Sequence, residues 1–230
     1  MEKTEKMPSA ATERSTRLPA EAWERAALEA IAELGLPGVA VEPLAKKLGV
    51  TKGSFYWHFA DREALLRAAL KRWEKRSTED VIAWLEKIAD PRDRLRQLFR
   101  QVSQPGPWTR LSLALSAAAD HPAVRPVLER VSKRRIDFVA RCYRELGFSG
   151  AKARHRARLA YAAYLGFLHL SREAPNLEPI RFRRVRGARH RNARALGGMR
   201  IVDKSNYIYA IVNIAGGGLC PNTALIHRWA

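Results

Sequence analysis

The residues of this sequence that could take part in chemistry cluster between positions 46 and 62, and they are of the types that contact DNA. Lysine and arginine bind phosphate, hydroxyl and imidazole groups reach phosphates or base edges, and a glycine lets the backbone approach a duplex closely. The candidate DNA contacts are Lys46, Thr51, Lys52, Gly53, Ser54, Tyr56, Trp57, His58 and Arg62.

Residue patterns typical of enzymes and metal sites are missing from the sequence. Its six histidines form no HExxH or HxH pair, and neither a GxSxG motif nor a Walker lysine motif occurs. The two cysteines, Cys142 and Cys220, lack CxxC spacing and are too few for a disulfide framework. We therefore expect a protein that is not an enzyme and that needs neither a metal nor a cofactor.

Two short predicted helices position the DNA-contact residues. Apolar residues with helical spacing predict helices over 20–34, 41–48 and 52–59. Gly49 allows the tight turn between the second and third helices, and Thr51 is a favourable N-cap for the third. This composition is typical of a helix-turn-helix, whose second helix enters the DNA major groove.

The segment from Gly49 to Leu65, GVTKGSFYWHFADREAL, resembles the tetracycline-repressor (TetR-like) family. That family's consensus has a glycine-valine turn, a short recognition helix, then tyrosine, any residue, histidine, phenylalanine, two residues and a lysine. The resemblance extends over about residues 18–175. Two positions depart from it: Ala40 stands where the family usually has threonine, and Arg62 replaces the lysine. The resemblance implies a homodimeric repressor that reads a palindromic operator and is released by a small-molecule effector.

Five of the DNA-contact residues also have a structural interpretation. Tyr56 could cover the core of the small domain, and Trp57 could simply be an exposed side chain. His58 could serve packing or capping, and Arg62 could pair with a neighbouring glutamate. Lys46 could belong to a solvated helix face. The sequence leaves these alternatives open.

Helical periodicity continues to about residue 175 without any segment of period two, which predicts an all-α protein of roughly eight helices. Beyond the first three, helices are predicted from Arg62 through about Ile88, over 91–102 and 108–119, in a long segment ending at Leu146, and over 150–172. The predicted organisation is a disordered arm at 1–17, a helix-turn-helix domain at 18–64, a helical ligand-binding and dimerisation domain at 65–177, and an atypical, poorly ordered basic tail at 178–230.

In the resembled family, the helices after the helix-turn-helix enclose a small ligand and form the dimer interface. Aromatic and apolar residues with a few polar groups among them predict an apolar or aromatic effector, although ordinary core packing is open for each one. The candidate pocket residues are Trp84, Phe99, Trp108, Leu111, Leu115, Phe138, Cys142, Tyr161 and Tyr164.

The tail and the net charge raise a second interpretation. The chain has a formal net charge of +19, and residues 181–200 contain eight arginines and no acid. A basic RNA-associated protein acting through this tail is the alternative function. The abrupt change in composition near Pro179 also fits a shifted reading frame or a cloning junction. No apolar run approaches the ~20 residues of a membrane span, so we expect a cytoplasmic protein without membrane partners.

Overall fold

The computed structural model describes residues 18–102 and 107–174, and these residues form nine α-helices and no strand. The helices are α1 (Ala20–Leu34), α2 (Val41–Leu48), α3 (Lys52–Tyr56), α4 (Arg62–Glu74), α5 (Asp80–Leu85), α6 (Pro91–Val102), α7 (Pro107–Ala117), α8 (Arg125–Glu145) and α9 (Gly150–Glu173). The predicted all-α fold is confirmed. The predicted arm at 1–17, the tail at 178–230 and Cys220 lie outside the described residues.

The helix-turn-helix is held by local signals at its turn and at the start of α4. Gly49 takes the left-handed conformation, with φ 68° and ψ 28°, and the Val50 N–H donates to the Ala45 carbonyl at 3.0 Å. Asp61 caps α4 by accepting a hydrogen bond from the Ala64 N–H at 2.6 Å. Thr51 precedes α3 as predicted, but its side chain makes no capping hydrogen bond.

One apolar core joins the helix-turn-helix to the helices behind it. Phe55 of α3 is fully buried, and its ring meets that of Trp23 edge-on, with centroids 5.4 Å apart. The same core continues along α4 through Leu66 to Trp73 and includes Leu115 of α7. Any tilt of α4 is therefore transmitted to the packing around α3, because close-packed side chains resist independent movement.

A second core lies between α5, α6, α8 and α9. Small residues on one face of α9, namely Ala153, Ala157 and Ala160, are buried there, and they let α9 pack closely against α8. Phe138 of α8 and Phe99 of α6 belong to the same core.

Two predicted helices differ by more than two residues from the observed ones. The helix expected from Arg62 to about Ile88 contains a π-helical turn at 75–79, which separates α4 from α5. Helix α3 ends at Tyr56 rather than at residue 59, because the Phe55 carbonyl accepts hydrogen bonds from the N–H groups of both His58 and Phe59. Within the described residues, no helix has the length and apolar character required to span a membrane.

Candidate DNA-binding surface and ligand cavity

Helix α3 presents its polar and aromatic side chains to solvent while a single residue anchors it. Phe55 is completely buried, whereas the side chains of Tyr56 and Trp57 are 56% and 70% exposed. Lys52 and Gly53 are exposed at the start of the helix, and Ser54 is partly exposed. The hydrogen-bond donors and the aromatic rings of Tyr56 and Trp57 therefore lie on the outer surface of α3, while Phe55 anchors its inner side in the core.

Lys52 is held by an ion pair across the turn. Its Nζ donates to Oε1 of Glu42, on α2, at 2.8 Å, and both side chains are largely exposed. This hydrogen bond and the opposite charge lower the pKa of the Glu42 carboxyl and raise the pKa of Lys52. Any phosphate that binds Lys52 must therefore compete with a carboxylate already in place.

Two predicted DNA contacts are instead engaged inside the protein. The Arg62 guanidinium donates to the Val39 carbonyl at 2.6 Å and to the Leu36 carbonyl at 2.8 Å, and it also pairs with the adjacent Glu63. A ring nitrogen of His58 lies 2.8 Å from the Leu18 carbonyl. These contacts support the structural alternatives for both residues, because their polar groups hold the turn before α2 and the segment before α1.

The remaining predicted contacts lie at the edges of the same surface. Lys46 is exposed in the last turn of α2, and Thr51 is exposed directly before α3. The neighbouring Lys47 pairs with Glu29 of α1 at 3.0 Å. Lys46, by contrast, makes no ion pair within residues 18–102 and 107–174.

Behind the helix-turn-helix, a cavity of about 280 Å³ lies between the π-helical turn, α5, α6, α7, α8 and α9. Among the candidate pocket residues, five line this cavity. They are Phe99, Trp108, Phe138, Tyr161 and Tyr164.

Four candidate pocket residues do not line this cavity. Leu115 and Cys142 are fully buried in the two cores, and burial raises the pKa of the Cys142 thiol. Trp84 is about half exposed on α5, outside the lining. Leu111 borders a second depression beside α1. An apolar residue with helical spacing can face any neighbouring helix, and only the packing decides which.

Sequence reasoning missed the polar residues of the cavity wall. Arg135 of α8 donates to Thr78 Oγ1 at 3.0 Å, and to both the carbonyl and the hydroxyl of Ser77 at 3.1 Å. Ser77 and Thr78 belong to the π-helical turn, and π-helical turns are frequent at functional sites. Their separation of more than fifty residues from Arg135 left no local signal in the sequence.

Helix α4 connects the two sites physically. Its first residue, Arg62, holds the turn before α2, and its last turn leads into the π-helical turn that borders the cavity. In that last turn, Arg72 pairs with Glu24 of α1 at 3.2 Å, and both side chains are mostly buried. In the described part of the chain, no group of acidic, histidine or cysteine residues is arranged to hold a metal ion.

Comparisons with known proteins agree with this architecture. The sequence model for "Bacterial regulatory proteins, tetR family" matches residues 25–69. The HTH-type transcriptional regulator BetI of Stenotrophomonas maltophilia is 30% identical over 141 residues, which are 59% of this chain and 70% of that protein.

Solved structures share the fold at low sequence identity. A transcriptional regulator from Rhodococcus has a TM-score of 0.62 at 19% identity, covering 87% of this chain and 95% of that one. A putative regulator from Saccharomonospora viridis, solved in complex with choline, has a TM-score of 0.59 at 23% identity, covering 68% of this chain and 86% of that one. From the helix-turn-helix geometry and these relatives together, we conclude that the chain belongs to the TetR family of helix-turn-helix transcriptional regulators.

Proposed function

We propose that this regulator is a repressor that binds a palindromic operator as a homodimer and is released when a small molecule enters the cavity. The observation that carries the proposal is the outer surface of α3, where polar and aromatic side chains are exposed around one buried anchor, Phe55. Residues that the fold leaves uncovered are available for a duplex.

In this proposal the start of α3 reads the major groove. Lys52 and Ser54 donate to base edges or phosphates, Tyr56 donates its hydroxyl to a phosphate, and Gly53 allows close approach of the backbone. Trp57 packs on the groove wall or sugar. Lys46 and Thr51 make supporting contacts with the DNA backbone. Arg62 and His58 act indirectly, by holding the helix-turn-helix in shape.

Selection of bound DNA from a random pool at moderate salt tests DNA reading. We expect two half-sites related by dyad symmetry, because two-fold dimers read symmetric DNA. A variant with Lys52, Ser54 and Tyr56 all changed to alanine should lose sequence-selective binding. Lys133→Ala, an exposed lysine on α8, is the control that should retain it. Recovery of no consensus, or of RNA only, would contradict the proposal.

The dimer is supported by the outer face of α9. Ala162 and Gly166 are exposed one helical turn apart, Leu170 follows them with 41% of its side chain exposed, and a Cβ added at Gly166 would meet no atom within 4 Å. Such a face of small and apolar residues suits close packing against a second helix. We expect Ala162→Arg to give monomers in light scattering while the chain stays folded. Dimers of unchanged stability would exclude this face.

Release is supported by the position of α4 between the cavity and the helix-turn-helix. A ligand that binds one tilt of α4 better than another shifts the population of DNA-competent dimers. Val81→Trp, which places a large side chain at the cavity wall, should lower operator affinity without touching α3. Ala83→Trp, on the exposed side of α5, is the matched control. Equal operator affinity of the two folded variants would argue against coupling through the cavity.

A reporter gene behind the selected operator should be more active when the regulator is deleted.

A further inference from the structure

We propose that the cavity takes an organic anion, a carboxylate on an apolar or aromatic body, and that Arg135 is the residue that pairs with it. This inference rests on the proposed effector function, since it specifies which class of small molecule the same cavity selects. It follows from three features of the cavity: its charge, the unusual partners of Arg135, and its apolar walls.

The charge of the cavity wall has one sign. Arg76 and Arg135 are the charged residues among those that line it in the described part of the chain, and the lining contains neither aspartate nor glutamate. Arg76 is exposed at the rim, whereas Arg135 is partly buried. A cavity with positive groups at its rim and wall attracts anions and disfavours cations.

Arg135 differs from its neighbouring arginines on α8, Arg130, Arg134 and Arg141. Three arginines of α8 pair with glutamates of the α4–α5 region: Arg130 with Glu74, Arg134 with Glu79, and Arg141 with Glu86. Among the described residues, the hydrogen-bond acceptors of Arg135 are all neutral: they belong to Ser77 and Thr78 and are reached through Nε and Nη2. Its guanidinium also lies over the Trp73 ring, 5.7 Å from the ring centroid. Its Nη1 makes no hydrogen bond within the described residues. A partly buried guanidinium without a carboxylate is an incomplete ion pair, and a bound anion would complete it.

The walls around Arg135 define the rest of the ligand. Phe99 and Phe138 are buried beside it, and Trp108 and Leu168 extend the apolar lining. The Tyr161 hydroxyl lies 3.0 Å from Ser132 Oγ, so it already has a partner within the protein. The lining is therefore apolar over most of its surface, and Arg135, its partly buried charge, has no carboxylate partner among the described residues. These features suit an amphipathic monoanion.

This inference separates the chain from the relative solved with choline. Aromatic rings can hold a quaternary ammonium by cation–π contacts, and the present cavity has such rings. Here, however, the two guanidiniums would repel that cation, and none of the described lining residues is an aspartate or glutamate. We expect choline to bind this chain much more weakly than a carboxylate of similar size.

Calorimetric titration of the full chain without DNA tests the inference. The probes are phenylbutyrate, octanoate and naphthoate, each compared with its neutral amide, together with phenylbutylammonium and choline. We expect at least one carboxylate to bind about tenfold or more tightly than its amide, since a charge-assisted pair contributes at least that much. Neither cation should bind measurably.

Two variants assign the effect to Arg135. Arg135→Gln keeps a polar group for Ser77 and Thr78 but should abolish the preference for carboxylate over amide. Arg134→Gln, its neighbour outside the cavity lining, should retain the preference. Circular dichroism and thermal melting test whether both variants are folded. The comparison of carboxylate with amide on the unchanged protein does not depend on either variant.

The outcomes distinguish the two proposals. Equal binding of acid and amide, tighter binding of choline, or no carboxylate binding at millimolar concentration would overturn the anion inference. If a carboxylate binds through Arg135 but leaves operator affinity unchanged in fluorescence anisotropy, the anion site stands and the effector function fails.

Discussion

Replacing Arg62 with lysine tests whether this residue holds the helix-turn-helix together or contacts DNA. Lysine keeps the positive charge at the start of α4, so a contact with phosphate would largely survive. It has one compact ammonium group, however, and cannot reach the Leu36 and Val39 carbonyls with the planar geometry of a guanidinium. A loss of stability with little loss of binding is therefore the expected signature of a structural role.

The size of that loss follows from the contacts. Two hydrogen bonds from a charged donor contribute roughly 3–6 kcal/mol together when buried. Because 37% of the Arg62 side chain is exposed, water replaces part of this, and we discount it by about half. If lysine recovers one of the two acceptors, the net destabilisation is about 1 kcal/mol, which lowers Tm by roughly 2–4 °C for a chain of this size.

The measurement pairs a thermal or urea melt with fluorescence anisotropy on the selected operator. Arg67→Lys, an exposed arginine on the same helix, is the control and should change neither quantity. An unchanged melting temperature for Arg62→Lys, together with a clear fall in operator affinity, would refute the structural role and restore the phosphate contact. A loss of both in Arg67→Lys would show that the helix surface, rather than the two carbonyl contacts, is responsible.

Three further predictions concern the outer surface of α3 with its neighbour Glu42, and the buried thiol of Cys142. Gly53→Ala should stabilise the fold by up to about 1 kcal/mol, because alanine favours the helix and its Cβ would lie 3.7 Å from Thr51 Oγ1, an ordinary contact. The same variant should weaken operator binding, because the added methyl group would block close approach of the α3 backbone to DNA. Tighter binding of this variant in anisotropy would contradict the close approach. Glu42→Gln should strengthen DNA binding several-fold, since it frees Lys52 from its ion pair and removes a negative charge from the surface; weaker binding would show that the pair positions Lys52 for DNA. Cys142 should react with iodoacetamide far more slowly in the folded chain than in guanidinium at about pH 8, because burial keeps the thiol protonated and covered, and equal rates by mass spectrometry would exclude this.

The local elements of this protein follow from its sequence. Apolar residues recurring with helical spacing predicted α1, α2 and α6 with the ends that the fold has, since a 3.6-residue period is a property of the chain itself. Gly49 at the turn and Phe55 as an apolar residue between polar neighbours were sufficient to indicate a helix-turn-helix. The polar residues around Phe55 likewise predicted that α3 exposes polar side chains to solvent.

The tertiary structure decided what those residues touch. Arg62 reaches two carbonyls more than twenty residues earlier in the chain, and Arg135 reaches the π-helical turn more than fifty residues earlier. Neither contact has a sequence period, because both depend on how helices cross after they form. The cavity also depends on how the helices cross. Helical spacing identified aromatic residues such as Phe138, which lines the cavity, but it did not distinguish them from residues such as Leu115, which is buried in the core. Only the packing of the helices against one another decides which apolar residues face open space.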